Sequence, residues 1–409
     1  MIVRVLAMSR FLVDVTPHIA ISLIVVFAVS VPAGGQSYIV TDLGTLGGSF
    51  SGAYAINDLG QIVGFSTFPP TDFITHGFLW EDGTMMDLGT LGGLHSYAYG
   101  INSQTQVAGV SSDGGSTFEA FLWEDGVMSD IGTPYNVFSE AYGINDAGQI
   151  TGVMDLMAFL WEDGVWTDLG TLPDFTGSVG FGINAAGEVV GGAFSCPFCA
   201  THATHWVDGG VTDLGVLPGW DSTGANAIND VGQIVGASAT IIPSILRATL
   251  WENGKIIDIG AGDGLHSEAF GINNSGQIVG YWGTSDLALD HYATLWQDGV
   301  MFDLNDLIPA DSKWQLSEAQ DINESGQITG FGYNPDGIFR GFLLNPCAPA
   351  DFDCDGSVGA ADLAQLLGNW GPCPEPCTPG DPPTCLADFD HDCTVSPFDL
   401  AFLLGNWGP

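Results

Sequence analysis

The chain has 409 residues, 45% of them hydrophobic and 11% aromatic, so it can build a substantial core and is not intrinsically disordered. Six lysines and arginines stand against 48 aspartates and glutamates, a formal charge of −42 at pH 7. Such a surface repels phosphates and anionic headgroups, which excludes nucleic acid and membrane-surface partners. Cations, neutral molecules such as sugars, and proteins with basic patches remain.

Residues 1–35 have the layout of an export signal. Arg4 and Arg10 supply positive charge, residues 19–31 are apolar but too few to span a bilayer comfortably, and Ala33, Gly34 and Gly35 offer a cleavage site before Gln36. The mature protein is expected to be secreted, extracellular or associated with the cell surface, with no membrane insertion once the signal is removed. Eight cysteines fit an oxidising compartment.

An Ile-Asn pair then recurs at Asn57, Asn102, Asn145, Asn184, Asn229, Asn273 and Asn323, a period of about 44 residues. The fullest unit runs S-x-A-x-G-I-N-D-x-G-Q-I-V-G, a stretch of variable length, then F-L-W-E-D-G-x-x-x-D-L-G. Trp80, Trp123, Trp161, Trp206, Trp251 and Trp296 mark the units, and Phe342-Leu343-Leu344 fills the slot in the last. Each unit parses into four short strands, because N-D-x-G and E-D-G are turn signals and no helical period is sustained before residue 350. A lone fourth strand precedes the first unit at residues 38–43, and the last unit stops after its third strand at Asn345-Pro346. Pairing the surplus strand with the missing one closes a ring and protects both edges. The predicted fold is all-β, a seven-bladed β-propeller over residues 36–346 closed by an N-terminal strand. A small α-helical, disulfide-rich domain follows over residues 347–409.

The repeat resembles the HAF-type extracellular repeat family, on Thr75-His76-Gly77-Phe78-Leu79-Trp80 and His202-Ala203-Thr204-His205-Trp206. The resemblance covers about residues 38–345 and implies a repeat architecture without an activity.

After Pro346 the composition changes: residues 347–409 hold six cysteines and ten acidic residues with no Lys or Arg. Asp351-Phe352-Asp353-Cys354-Asp355-Gly356 and Asp388-Phe389-Asp390-His391-Asp392-Cys393 are each followed by an Asp at position 12 (Asp362, Asp399), an apolar helix and Gly-Asn-Trp-Gly. Oxygens at positions 1, 3, 5 and 12, with a backbone carbonyl at 7, form the calcium-loop pattern, since calcium takes six to eight oxygen ligands. Calcium is therefore the expected cofactor, at two sites. The second loop has Cys393 where the first has the glycine of the sharp turn. The tail resembles a dockerin type I module. By that resemblance Asp351, Asp353, Asp355 and Asp362 ligate site one, and Asp388, Asp390, Asp392, Ser396 and Asp399 serve site two. It also implies an extracellular protein partner. Dockerins usually carry partner-reading hydroxyls at loop positions 10 and 11, where this chain has Ala360-Ala361 and Pro397-Phe398, a departure from a conventional cohesin match. The six tail cysteines allow fifteen connectivities, and the spacing favours none.

Residues repeated in every blade are expected to be structural, as with the Asn of I-N and the Asp of D-L-G. Function requires residues that break the symmetry. Glu140, Glu268 and Glu318 share the first x of S-x-A-x, while His95 and His266 lie just before equivalent first strands. These five are the candidate ligand-binding residues for a carbohydrate or a cation. They should lie on the face carrying the D-L-G-to-S-x-A and Q-I-V-G-to-F-L-W connections, where loop length varies most. Cys196-Pro197-Phe198-Cys199 with His202 and His205 has zinc-type ligands at tighter than zinc-finger spacing, and a local disulfide is the expectation there. No catalytic residue is assigned: G-x-S-x-G, HExxH and phosphate-cradling loops are all absent from the sequence. The expected function is a non-catalytic binding or display propeller, tethered to an extracellular assembly through its tail. The alternative is a polysaccharide-active enzyme, a glycoside hydrolase or lyase, docked by the same tail. It would need paired carboxylates about 5–10 Å apart at the channel.

Overall fold

Two kinds of turn punctuate each repeat. In E-D-G both central residues take left-handed backbone, as at Asp82 (φ 48°) and Gly83 (φ 80°), the conformation that joins two antiparallel strands by a two-residue hairpin. In N-D-x-G the glycine alone does so, as at Gly60 (φ 77°). A computed structural model of the protein describes residues 37–69, 72–115, 117–132, 137–195, 201–240, 245–260, 266–284, 290–348, 350–373, 387–390 and 392–408. The expected export signal and the Cys196–Cys199 pair lie outside these.

The turns fold the chain into seven four-stranded antiparallel sheets, the blades of a β-propeller. Blade 1 comprises Ser51–Ile56, Ile62–Phe68, Ile74–Glu81 and Thr84–Asp87, from the channel outward. Blades 2 to 6 repeat that order with consecutive strands. Blade 7 combines Gln315–Ile322, Ile328–Tyr333 and Phe339–Pro346 with the first strand of the ring, Tyr38–Asp42. Tyr38 pairs with Pro346, Val40 with Leu344 and Asp42 with Phe342. The ring closes as its sequence ends predict.

Along each innermost strand the S-x-A-x pattern alternates in burial. In Ser139–Ile144, Ser139 and Ala141 are fully buried while Glu140 and Tyr142 are half-buried. The buried pair packs between blades, and the x residues line the channel. Apolar clusters fill the spaces between neighbouring blades, such as Val63, Leu79, Ala98, Val107 and Phe121 between blades 1 and 2. The glycine of Q-I-V-G has a steric cause: a Cβ on Gly152 would lie 1.9 Å from the Glu140 carbonyl oxygen, and one on Gly280 1.9 Å from that of Glu268. No other residue lets the second strand approach so closely.

The tail has two helices, α1 (Ala360–Gly368) and α2 (Pro397–Gly405), around a separate core that includes Phe352, Val358, Leu366, Val395 and Leu403. Its halves are exchanged pseudo-symmetrically: Val358 of the first loop bridges to Gly408 after α2, and Val395 of the second loop pairs with Gly371 after α1. Cys347, next to the last propeller strand, forms a disulfide with Cys354 of the first loop, and Cys373 and Cys393 are also disulfide-bonded. No helix among the described residues is long and apolar enough to cross a membrane.

Candidate functional site

The repeated polar residues are committed to the scaffold. Each ring asparagine donates from Nδ2 to the backbone carbonyl of the next, from Asn57 to Asn102 and onward until Asn323 returns to Asn57, at 2.9–3.4 Å. Its Oδ1 accepts the backbone N–H four residues on, as from Gln61 and Gln106. The D-L-G aspartates accept the N–H two residues on, as Asp87 does from Gly89 at 2.8 Å. Those carboxylates also face the residue two places before the F-L-W phenylalanine slot. His76 pairs with Asp87 at 2.9 Å and His202 with Asp213 at 2.8 Å. His205 lies 3.6 Å from Glu188. His202 and His205 are thus placed against carboxylates of the blade itself.

Seven channel strands give two rings of half-buried side chains. The lower ring is aromatic over blades 1 to 4, where Tyr54, Tyr99, Tyr142 and Phe181 meet ring to ring at 5.1–5.3 Å. Over blades 5 to 7 it continues as Asn226, Phe270 and Gln320. The upper ring carries Glu140, Glu268 and Glu318. These do not form one cluster. Glu140 bonds the Tyr142 hydroxyl on blade 3, three blades away from both others. Glu268 and Glu318 belong to adjacent blades and lie near enough for the charge on Glu318 to oppose ionisation of Glu268.

At this junction the ring loses its regularity. In six blades the Ser or Thr of S-x-A-x accepts a backbone N–H from the third strand of the preceding blade, as Ser267 does from Ala248 at 3.1 Å. Ser317 makes no such bond and its buried hydroxyl has no partner among the described residues. The cause lies in the sequence. Blade 6 ends D-L-N instead of D-L-G, and Asn305 clamps Leu316 by accepting its N–H at 2.7 Å and donating to its carbonyl at 3.0 Å. The strand then carries a register shift between Leu316 and Glu318, in addition to the shift found in every blade. Bulges re-aim side chains. Here Glu318 reaches Nδ1 of His291 at 2.9 Å and accepts from Gln320 Nε2 at 3.0 Å. His291 is 6% exposed, stacks on Tyr281 with ring centres 3.8 Å apart, and leaves Nε2 without a partner among the described residues. Glu268 accepts from Asn226 at 3.0 Å. Burial raises the Glu268 pKa above the usual carboxylate range, the Asn226 hydrogen bond and His291 oppose the rise, and Glu318 adds to it.

His266 is buried at the start of the blade 6 inner strand with Nδ1 unpartnered among the described residues. His95 is half-buried, pairs by backbone with Thr75 and also leaves Nδ1 unpartnered among the described residues. Sequence reasoning missed His291, Asn226 and the tyrosines. The tyrosines had a signal in the second x of S-x-A-x, and His291 had none, because its role depends on the bulge at Ser317.

A cavity of about 200 Å³ opens at the opposite channel mouth, lined by Asn145, Asp146, Asn184, Asn229, Asp230 and Glu324 among others. That end is not the face expected to carry function. On the expected face, residues 70–71 and 196–200 of the longest connections lie outside the described residues.

In the tail, carboxylate oxygens of Asp351, Asp353 and Asp362 lie within 4.8 Å of one another, as do those of Asp388, Asp390 and Asp392. Burial raises the Asp353 pKa, and the charges of Asp362 and Asp355 add to it. Asp355 accepts from the Ser357 hydroxyl at 2.6 Å, outside the first group. Asp362 and Asp399 are buried and tie each loop to its helix: Asp362 accepts from Phe352 and Gly359, Asp399 from Phe389 and Ser396, at 2.6–2.7 Å. Ser396 caps α2 by accepting the Phe398 N–H at 3.2 Å. Cys393 takes left-handed backbone (φ 69°) where Gly356 does (φ 86°), held by its N–H to Asp388 at 2.9 Å.

Neither a family model nor a curated protein matches the sequence. Among solved structures, the chain is similar to the β-propeller domain of the Trilobed protease from Pyrococcus furiosus, at 14% identity and TM-score 0.44, covering 61% of this chain and 82% of that one. It is similar to TolB from Acinetobacter baumannii at 11% identity and TM-score 0.40, over 74% of this chain and 65% of that one. It is also similar to the Aleuria aurantia lectin at 10% identity and TM-score 0.35, over 77% of this chain and 96% of that one.

Proposed function

We propose that this chain is a secreted binding or display protein, an HAF-type propeller tethered to an extracellular partner through a calcium-dependent, dockerin-like tail. One observation carries the reading: the asparagine of I-N and the aspartate of D-L-G are engaged in scaffold hydrogen bonds in every blade, which leaves the channel mouth to recognition and the tail to attachment. Two convergent carboxylate groups support calcium binding in the tail, because three carboxylates so close repel one another without a cation. Equivalent apolar side chains on its two halves, Leu367 with Leu404 and Trp370 with Trp407, are 45–52% exposed and support a protein partner. The test is retention of the full chain by the extracellular material of its own cells. It should be held in calcium, released by a calcium chelator, and lost in Leu367→Asp/Leu404→Asp. Equal retention in all three conditions sinks the tether.

A second reading, a polysaccharide-active enzyme, is favoured by Glu268 and Glu318 alone: adjacent carboxylates, one desolvated and one paired with an imidazole, are the ingredients of acid–base catalysis. New reducing ends or unsaturated products from polysaccharide incubated with the protein, lost in Glu268→Gln, would establish it.

A further inference from the structure

We infer that the propeller channel between the blade 6–blade 7 junction and the tyrosine wall holds a neutral saccharide, an assignment that rests on reading the propeller as the binding part of the chain. The channel is two-sided. Blades 1 to 4 present half-buried Tyr54, Tyr99, Tyr142 and Phe181 with one carboxylate, Glu140, bonded to Tyr142, and blades 5 to 7 present Asn226, Gln320, Glu268 and Glu318 with one aromatic, Phe270. A pyranose has the same division, with an apolar C–H face for an aromatic ring and an edge of hydroxyls for planar hydrogen-bonding groups. Glu268 and Glu318 can accept hydrogen bonds from hydroxyls, and Asn226 and Gln320 can both donate and accept. The two walls adjoin, since Tyr54 feels the charge of Glu318.

The junction also departs from the scaffold in a way the fold does not need. Six blades keep the serine or threonine latch, and only this one gives it up, through the Asn305 clamp and the extra register shift. What the departure produces is the Glu318–His291 pair, with two polar atoms, Ser317 Oγ and His291 Nε2, unpartnered among the described residues in side chains more than nine-tenths buried. Buried polar atoms without partners are rare and need a reason. Water or a hydroxylated ligand at the junction supplies one.

The class of ligand follows from charge and spacing. At −42 the protein repels uronates and sulfated sugars. Among the described residues, three or more acidic or imidazole ligand atoms converge within 4.8 Å in the two tail groups and not at the junction.

Isothermal titration calorimetry on the full chain in calcium tests this, with neutral hexasaccharides derived from cellulose, xylan and mannan, a polyuronate, and spermidine as the small cation. At least one neutral hexasaccharide should bind and the polyuronate should not. Glu318→Gln, which keeps shape but breaks the charged pair with His291, should weaken binding about tenfold or more, since a charge-assisted hydrogen bond is lost. Tyr99→Ala/Tyr142→Ala should weaken it severalfold through lost stacking. Asp125→Asn, in an outer turn where blade 5 has Asn253, should change nothing. Asn305→Gly should also weaken binding while circular dichroism stays unchanged, because it frees Leu316 without touching the ligand. Sugar binding that survives both the Glu318 and tyrosine variants places the ligand elsewhere and overturns the channel site, leaving the binding-protein reading intact. Spermidine binding without sugar binding overturns the saccharide class. If no probe binds, both the site and the reading beneath it fall.

Discussion

At the scale of single residues, the propeller economises on charge. Two of its four described lysines and arginines share one repeat position, beside the outer-strand aspartate: Arg247 lies 3.7 Å from Asp258 and Arg340 3.9 Å from Asp42, where blades 1 and 4 use His76 and His202. Blade 2 puts a like charge there, Glu119, whose pKa is raised by burial and by the charges of Asp130 and Asp113. Glu119→Arg replaces repulsion with the arrangement of blade 5 and should stabilise the protein by about 1 kcal/mol, read as a higher Tm. An unchanged or lower Tm would show that the pairing is incidental. Asp321 poses a second case. It accepts the N–H of Ile56 across the seam between blades 7 and 1 at 3.0 Å, and that of its own strand neighbour Ile322 at 2.9 Å. Burial nevertheless pushes its pKa up to about 7, with Asp58 adding to the rise against those hydrogen bonds. A carboxyl whose pKa rises on folding gives stability that is complete below its unfolded value near 4 and lost as pH climbs through about 7. Asp321→Asn should therefore flatten the decline in Tm between pH 5 and pH 8 relative to the parent chain. The same slope in both would place the titrating group elsewhere.

At the scale of elements, each half of the tail is a loop whose carboxylates converge and a helix of nine residues. Nine residues are too few to hold a helix alone, so α1 and α2 depend on their shared core and on Asp362 and Asp399, which fix the loop ends. With Asp351, Asp353 and Asp362 crowded together, like-charge repulsion opposes the fold, and a divalent cation would reverse the sign of that interaction. Adding calcium to chelated protein should raise the Tm of the tail transition markedly, and Asp353→Ala should remove much of the gain. An identical melt with and without chelator would leave the loops as solvated acidic turns. The blades, the closing strand and both loops were legible in the sequence, because period, turn chemistry and carboxylate spacing are local properties. The blade 6–blade 7 junction was not. Glu318 stood out, but its partner His291 lies in another blade and meets it only because Asn305 shifts the strand between them. Likewise Ser396 has the side-chain oxygen of a ligand, and its local geometry makes it a helix cap.

At the scale of the whole molecule, a chain with a formal charge of −42 pulls its ring toward opening, since repulsion spread over its surface opposes compaction. Two continuous devices resist this: the asparagine circle at one channel mouth and the strand Tyr38–Asp42, which makes the N-terminal end of the ring part of its last blade. The strand is anchored at its first residue. Tyr38 is 1% exposed, packs among Leu295, Leu307, Leu316 and Phe342, and donates its backbone N–H to Leu307 at 2.9 Å. Burial pushes its hydroxyl pKa up, so the side chain stays neutral over the whole working range. Truncating a buried aromatic to alanine costs about 3–5 kcal/mol, a large part of the 5–15 kcal/mol by which domains are usually stable. Tyr38→Ala should lower the Tm by several degrees and raise sensitivity to low salt, where repulsion is least screened. Removing residues 37–43 should go further and leave Phe339–Pro346 as an unpaired edge that seeks another chain. Light scattering should then find dimers or larger species in place of monomers. A truncated protein that stays monomeric and melts with the parent would mean that the asparagine circle alone keeps the ring shut.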